Sequence, residues 1–318
     1  MVKGLKDGKI PLMLSVVIPV YNEQESLREL YMELSKELPK LDKNFEIVFV
    51  DDGSTDHSLD KLKKLAKKDK RVRVFSFRKR SGKAEALSIG FAKANGDYIF
   101  TMDADLEDKP SEMHKLFSKL KEGYDVVSGW RKNRRHSFGR VISSKFSNFI
   151  IGLLWGLRLH DHNCGLKLFT REAARSSHFY GGLYRFMLLL AYQKGYKVTE
   201  VPIVHQNRKY GKSKFGALRL WKDIPDVFTI LFLTKFAERP LHFFGIIGGL
   251  LFTLGSIILL YLAYLRFLGE RIGDRPLLLF GVLIVLTGFQ IFFTGFLAEL
   301  IISKSTKEEP VPLKYSTQ

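Results

Sequence analysis

Two apolar runs near the C-terminal end constrain this chain more than any other feature. Leu241 to Leu265 is 25 residues without an Asp, Glu, Lys or Arg, and Leu277 to Ala298 is 22 without one. A helix rises about 1.5 Å per residue, so about 20 apolar residues cross a hydrocarbon core of about 30 Å. Both runs meet that length, and soluble core helices are rarely so long and so uniformly apolar. The link from Arg266 to Pro276 is short, which predicts a hairpin returning both flanks to one side of a membrane. Basic residues dominate upstream, and Lys304 and Lys307 follow, so the positive-inside tendency places both flanks in the cytoplasm. Arg266, Arg271 and Arg275 in the link weaken that bias without reversing it. At the other end, Lys3, Lys6 and Lys9 precede the apolar stretch Leu12 to Val20 and imitate a signal peptide. Pro19 and the polar Tyr21-Asn22-Glu23 interrupt it early and no small-residue cleavage site follows, so the stretch reads as a buried first strand.

Charge is distributed as unevenly as hydropathy. The 318 residues carry 51 Lys+Arg against 33 Asp+Glu, a formal charge of +18. Residues 1–130 hold 24 basic and 22 acidic side chains, 131–222 hold 19 and 3, and 223–318 hold 8 of each. Clustered Lys and Arg is the footprint of phosphate contact, whether the phosphate belongs to nucleic acid, a membrane surface or a sugar nucleotide. Confinement of the excess to a block next to the apolar hairpin favours the membrane surface, and no nucleic-acid partner is expected. Solvated faces and topology determinants are the competing explanation for part of the block. The run from Lys61 to Lys70 lies in the balanced first part and reads as a solvated helix face. The single Cys164 excludes an internal disulfide framework and a Cys-rich zinc site. At 46% apolar, with 26 Phe and 12 Tyr, the chain is not disordered.

Residues 12–130 alternate short apolar runs, at 14–20, 45–50, 72–77, 98–102 and 124–128, with amphipathic stretches at about 23–38, 57–68, 83–95 and 111–121. That alternation predicts βαβ units and a mostly parallel α/β sheet covered on both faces. Ligands of such sheets bind at the carboxyl ends of strands. Between 131 and 240 the pattern changes, and the segments 140–157 and 214–235 mix apolar runs with Arg and Lys, as expected of helices lying in the membrane interface; ordinary core helices are the alternative.

The strand ends are acidic. Asp51-Asp52-Gly53-Ser54 closes the second run and Asp103-Ala104-Asp105-Leu106-Glu107 the fourth. In extended backbone, residues two apart face the same way, so Asp103 and Asp105 share a site, with Glu107 continuing the series. Oxygen-only ligands suit Mg²⁺ or Mn²⁺, which take one or two carboxylates and complete the shell with water and substrate phosphate. Asn22 is a fair N-cap for the first helix with Glu25 at its third position, while Tyr21 suits either stacking on a base or a place in the core. Of the eight histidines only His160 and His162, flanking Asp161, are spaced closely enough to watch as a pair.

Taken in order, P-V-Y-N-E at 19–23, V-D-D-G-S at 50–54, Ser81-Gly82-Lys83 with Ala86 and Gly90, D-A-D at 103–105, Gly129-Trp130-Arg131, Asp161-x-x-Cys164-Gly165-Leu166-Lys167 and Arg208-x-x-Gly211-x-Ser213-Lys214 resemble the family-2 glycosyltransferases of GT-A fold. The series is most similar to the polyprenyl- and dolichyl-phosphate sugar synthases, and the two-span hairpin to their bacterial glucosyltransferase branch. The resemblance implies a Rossmann-like catalytic domain, interfacial helices and a transmembrane hairpin. It implies a metal-dependent hexosyltransferase that moves one sugar from a UDP- or GDP-linked donor to a polyprenyl phosphate with inversion. Pro19, Tyr21, Glu23, Val50, Asp52, Lys83, Asp103 and Ala104 would hold the donor nucleotide. Asp103, Asp105 and Glu107 would hold Mg²⁺ or Mn²⁺. Arg131, Arg208, Ser213 and Lys214 would bind phosphate and acceptor, and Asp161, Asp105 and Arg131 would act in catalysis. For Asp161 the roles of base, orienter or partner of Lys167 or a nearby Arg stay open, because an anionic phosphate needs no strong base to attack. The family often has Gln where this chain has Glu107, and a small residue where it has Trp130.

The expected organisation is a nucleotide-sugar half at 1–130, an acceptor half with juxtamembrane helices at 131–240, spans at about 241–265 and 277–302 within 241–303, and a cytoplasmic tail at 304–318. Glycines 245, 248, 249, 281, 288 and 295 leave a homo-oligomer open. The rivals are a transferase acting on another lipid or polysaccharide and a non-enzymatic membrane scaffold. A processive polysaccharide synthase is disfavoured, since Q-x-x-R-W and additional spans are missing.

Overall fold

Parallel strands buried on both faces read as continuous apolar runs, and β1 (Leu14–Val20), β2 (Phe45–Asp51), β3 (Val72–Ser76), β4 (Tyr98–Thr101) and β5 (Val126–Arg131) occupy the runs picked out above. The computed structural model describes residues 12–132, 151–177, 181–206, 209–210, 229–236 and 239–305. Among them β6 (Lys167–Thr170) and β7 (Val198–Ile203) complete a seven-stranded sheet of order β3-β2-β1-β4-β6-β5-β7. Every pairing is parallel except those of β6, which runs antiparallel between β4 and β5. The chain leaves β5 at Arg131 and re-enters the sheet at Lys167 from the opposite direction, which no local periodicity encodes.

Helices α1 (Leu27–Leu41), α2 (Ser58–Lys68), α3 (Lys83–Lys93) and α4 (Met113–Leu120) connect the first five strands. α1 buries Leu27, Leu30, Leu34 and Leu38, one stripe of a 3.6-residue period. α2 buries only Ser58 and Leu62 and turns its lysines to solvent, as the Lys61–Lys70 reading requires. Asn22 does not cap α1, which starts after Ser26. Instead Asn22 takes a left-handed φ of 53° and ties two loops together. Its N–H donates to Ser54 Oγ at 3.0 Å, and Thr55 N–H donates to Asn22 Oδ1 at 2.8 Å. α5 (Arg171–Arg175) and α6 (Met187–Gln193) flank a 3-10 turn at Gly181–Phe186.

The described residues divide into two compact units, one within the first 226 residues and one within 227–311. The second unit holds a π-helical turn at Phe232–Phe236, α7 (Pro240–Phe267) and α8 (Pro276–Ser305). α7 and α8 are long and apolar enough to cross a membrane, each with mean hydropathy 2.3. At 28 and 30 residues each is longer than a ~30 Å core needs. Their seam is built on glycine. A Cβ at Gly248 would sit 2.6 Å from Gly288 O, one at Gly288 2.5 Å from Phe252 N, and one at Gly255 2.7 Å from Val285 Cγ2. Gly281, Gly288 and Gly295 recur every seven residues, the period that keeps one seam facing a partner helix. Gly248, Gly281, Gly288 and Gly295 therefore serve the hairpin itself, whereas a Cβ at Gly249 would meet nothing. The segments 140–157 and 214–235 lie mostly outside the described residues; 151–155 and 229–231 are helical.

Candidate active site

The loops after β1, β2 and β4 enclose a cavity of about 190 Å³ lined by Pro19, Val20, Tyr21, Glu23, Asp52, Arg80, Lys83, Asp103, Ala104 and Asp105. It lies where an open parallel sheet presents ligands. Of the candidate donor residues only Val50 is missing from the lining; it is fully buried in β2, so its side chain packs the core. Backbone geometry builds the walls. Asp52 accepts from the N–H groups of Ser81 at 2.6 Å and Gly82 at 2.9 Å, fixing the turn that opens α3. Gly53 stands at φ 65°, and a Cβ there would come within 2.7 Å of Arg80 N, so only glycine lets the two loops touch. Leu106, at φ 61°, is a second strained non-glycine residue in the site loops, after Asn22, and such strain collects at functional sites.

Lys83, at the first position of α3, places Nζ 2.5 Å from Asp103 Oδ1. Burial would raise the Asp103 carboxyl, but the Lys83 ammonium outweighs it, aided by Lys167 and Arg131, and holds the carboxyl below the usual carboxylate range. Asp105 lines the same cavity, and its Oδ1 accepts the Glu107 N–H at 3.2 Å. The backbone from 103 to 107 turns after β4 instead of staying extended as the two-residue spacing assumed, yet both carboxylates line the cavity and form an all-oxygen donor pair that fits a hard divalent cation. Among the described residues no three His, Cys, Asp or Glu side chains group closely enough to hold a metal by themselves, so substrate oxygens and water would complete the shell. Glu107 is not in the lining: its Oε2 lies 3.8 Å from His205 Nε2.

A second constellation stands at the ends of β5 and β6. Arg131 Nε donates to Asp161 Oδ2 at 2.7 Å and Nη2 to Oδ1 at 3.1 Å, a bidentate fork. Asp161 is 2% exposed and also accepts the Asn163 N–H at 3.0 Å. Burial works against the Arg131 charge, but Asp161 overrides it and raises the guanidinium pKa further. Of the open roles for Asp161, the observed contact is the pairing with an Arg; Lys167 instead bonds Cys164 O. The Lys167 ammonium is pushed down, chiefly by burial. Gly165 packs this segment against Asp103: a Cβ there would lie 3.0 Å from Asp103 Oδ2.

Tyr21 lines the cavity with the Arg80 guanidinium 4.2 Å above its ring, so it stands at the cavity wall rather than in the core. Arg80, Lys167 and His205 escaped the sequence reading as site residues. Lys167 lay inside a quoted motif, whereas Arg80 and His205 have no local signal. The histidine pair separates: His160 stacks on Trp130 with ring centroids 4.1 Å apart and bonds Glu200, while His162 is buried with both ring nitrogens unpartnered. Burial lowers the His162 pKa to about 4. Arg208, Ser213 and Lys214 lie outside the described residues.

The family is evident from comparison. Residues 15–177 match the model of glycosyl transferase family 2, and the chain belongs to that family. It is 33% identical over 317 residues to a dodecaprenyl-phosphate galacturonate synthase of Rhizobium johnstonii, covering 98% of this chain and 94% of that protein. It is also 33% identical over 290 residues to an undecaprenyl-phosphate 4-deoxy-4-formamido-L-arabinose transferase of Proteus mirabilis, covering 90% and 87%. In fold it is similar to Mycobacterium tuberculosis glucosyl-3-phosphoglycerate synthase, with TM-score 0.55 and 22% identity over 70% of this chain and 81% of that one. Another structure of that synthase, holding Mn²⁺, UDP and phosphoglyceric acid, gives TM-score 0.51 at 21% identity over 63% and 72%.

Proposed function

We propose that this glycosyltransferase moves one sugar from a UDP-linked donor to a polyprenyl phosphate at the cytoplasmic face of a membrane. The observation that carries the reading is full-length similarity to a polyprenyl-phosphate sugar synthase, reaching through the catalytic domain and both apolar helices. Tyr21 stacks on the base, Asp103 and Asp105 hold Mg²⁺ or Mn²⁺, and the diphosphate lies by Lys83 and Arg131. The cation, when bound, neutralises the leaving diphosphate. Lys83 exchanges Asp103 for a diphosphate oxygen as the donor enters. An oxygen of the lipid phosphate forms the new bond to the anomeric carbon while the bond to UDP breaks, so the configuration inverts and no glycosyl-enzyme forms. The acceptor is already anionic, and in-line positioning carries most of the demand. Asp161, with both oxygens engaged, is a positioning residue that aims Arg131 rather than a base. Arg208, Ser213 and Lys214 serve the acceptor phosphate.

The test is a donor screen. Folded protein in detergent, with Mn²⁺ or Mg²⁺ and undecaprenyl phosphate, is offered labelled UDP- and GDP-sugars, uronic and neutral. One UDP-sugar is expected to label the lipid with inverted configuration. Transfer from no donor, or retained configuration, overturns the reading.

A further inference from the structure

A second, smaller cavity adjoins the first, and the chemistry above assigns it no task. Its polar wall consists of Lys83, Asn163, Lys167, Tyr184 and Arg185. The two cavities share only Lys83 and differ in sign. Glu23, Asp52, Asp103 and Asp105 line the first, whereas among the described residues no Asp or Glu lines the second. The fold delivers its cations from separate elements. Lys167 opens β6, in register with Thr101 at the end of β4, and the 3-10 turn at Gly181–Phe186 supplies Tyr184 and Arg185. Lys83 reaches across from α3, its Nζ 5.4 Å from the centre of the Tyr184 ring. Lys167 is 4% exposed. Its Nζ donates to Cys164 O, and among the described residues no carboxylate stands within ion-pair distance of it. A buried ammonium held only by a carbonyl is costly unless an anion joins it.

We propose that this cavity is an anion subsite for the transferred sugar, and that the donor is a UDP-linked uronic acid whose carboxylate meets Lys167 and Arg185. The inference rests on the transfer reading for the place of the donor and adds the chemical class of its sugar. Gly165 sets the subsite beside the leaving group: it lines the second cavity, and a Cβ on it would lie 3.0 Å from Asp103 Oδ2. In-line transfer puts the attacking lipid phosphate across the anomeric carbon from the departing diphosphate. A cavity that shares Lys83 and abuts Asp103 is therefore on the donor's side of the reaction. The diphosphate has its own partners around the first cavity, so the part of the donor left for the second is the sugar. Neutral hydroxyls would leave the Lys167 charge uncompensated, whereas a carboxylate accepts charge-assisted hydrogen bonds from both Lys167 and Arg185.

Calorimetric titration of the full chain in detergent with Mn²⁺ tests the assignment, using UDP-galacturonate, UDP-glucuronate, UDP-galactose, UDP-glucose and UDP. The two uronates are expected to bind at least about tenfold more tightly than their neutral counterparts. Lys167→Met removes that preference and leaves the affinity for UDP within about twofold, and Lys167→Arg, which keeps the charge, retains most of it. Equal binding of uronate and neutral donors to the wild-type protein overturns the inference, and this measurement decides the matter even if Lys167→Met fails to fold. A Met variant that loses UDP affinity as strongly as uronate affinity would give the cavity to the diphosphate. One that raises only the KM for undecaprenyl phosphate would give it to the acceptor. Either result overturns the inference as well. Preferred transfer of a neutral sugar to the lipid sinks the uronate assignment and leaves the transfer reading standing; a uronate preference in binding without any lipid product does the reverse.

Discussion

The two sides of the candidate site hold their carboxylates by different means. On the side built from β1, β2 and β4 backbone N–H groups of nearby loops reach three of the carboxylates, Ser81 and Gly82 to Asp52, Ser54 to Asp51 and Glu107 to Asp105, and side chains add Ser76 Oγ to Asp51 and Lys83 to Asp103. On the side built from β5, β6 and β7 backbone N–H groups contribute as well, but each carboxylate has a side-chain partner far away in sequence: Arg131 for Asp161, His205 for Asp108, His160 for Glu200. Backbone donors survive any substitution that keeps the loop conformation. Side-chain partners vanish with one codon and leave a buried charge behind. The first side is therefore the place to remove chemistry while keeping the fold, and the second the place where chemistry and stability fall together.

Asp103 gives the cleanest separation. It lines the cavity and its salt bridge to Lys83 is partly exposed, so Asp103→Asn costs little stability. Loss of a carboxylate ligand to the leaving-group cation removes several kcal/mol of transition-state stabilisation, about 10²- to 10³-fold in kcat/KM. Labelled-lipid assays set against thermal melting check this; a melt that falls in step with activity would erase the distinction between the two sides.

Arg131→Met sharpens the contrast from the opposite side. It strands Asp161, 2% exposed, and breaking a buried pair by deleting one partner costs about 3–5 kcal/mol. The double substitution Arg131→Met with Asp161→Leu should recover most of that stability and none of the activity. Equal melting points for the single and double variants would show that the pair is not what holds this region.

The same asymmetry explains what could be read in advance. β1 to β5 and the acidic strand ends were legible because burial on both faces writes an unbroken apolar run, and because chemistry at a parallel sheet collects just after it. Asp103 and Asp105 do share the cavity, but on a turn after β4 and not on the extended backbone that their period-two spacing assumed. The antiparallel entry of β6 has no such signature, since which edge Lys167–Thr170 joins depends on where the chain travels after Arg131. Arg80 and His205 were hidden for a related reason: their partners are distant in sequence, and nothing local marks a His as the clasp of a carboxylate loop; for Asp161 the pairing with a nearby Arg was one of the readings left open, and the structure supplies Arg131 as that partner. Asn22 misled because a cap and a loop staple use the same side-chain oxygen.

His162 tests how far the second side tolerates an unsatisfied group. Its ring is 2% exposed with neither nitrogen bonded, and burial lowers its pKa from 6.5 to about 4. The unfolded chain then binds the proton first as pH falls, so stability is lost between about pH 6.5 and 4 and is constant for this group above that window. At 1.36 kcal/mol per decade the loss approaches about 3 kcal/mol at the acid end. His162→Leu should match or exceed the wild-type melting temperature at pH 7.5, since no hydrogen bond is removed, and should melt less steeply earlier as pH is lowered to 5. Parallel pH profiles for the two proteins would mean that the imidazole is hydrated or paired in solution.

Glu107→Gln is expected to do least, and that expectation discriminates between two accounts of the carboxylate loop. If Glu107 were a third ligand of the cation, exchanging its charge for an amide would weaken metal activation by an order of magnitude or more. Its side chain instead turns to His205 and stays out of the cavity lining, and the backbone contact it makes through its carbonyl to Gln206 is indifferent to the substitution. A Gln amide at Oε2 distance from His205 keeps a polar neighbour for the ring while removing one of two flanking negative charges. The Mn²⁺ concentration for half-maximal transfer should therefore move by less than about threefold, and kcat by no more. A tenfold or larger rise would bring Glu107 back to the metal and require the loop to turn over when the donor binds.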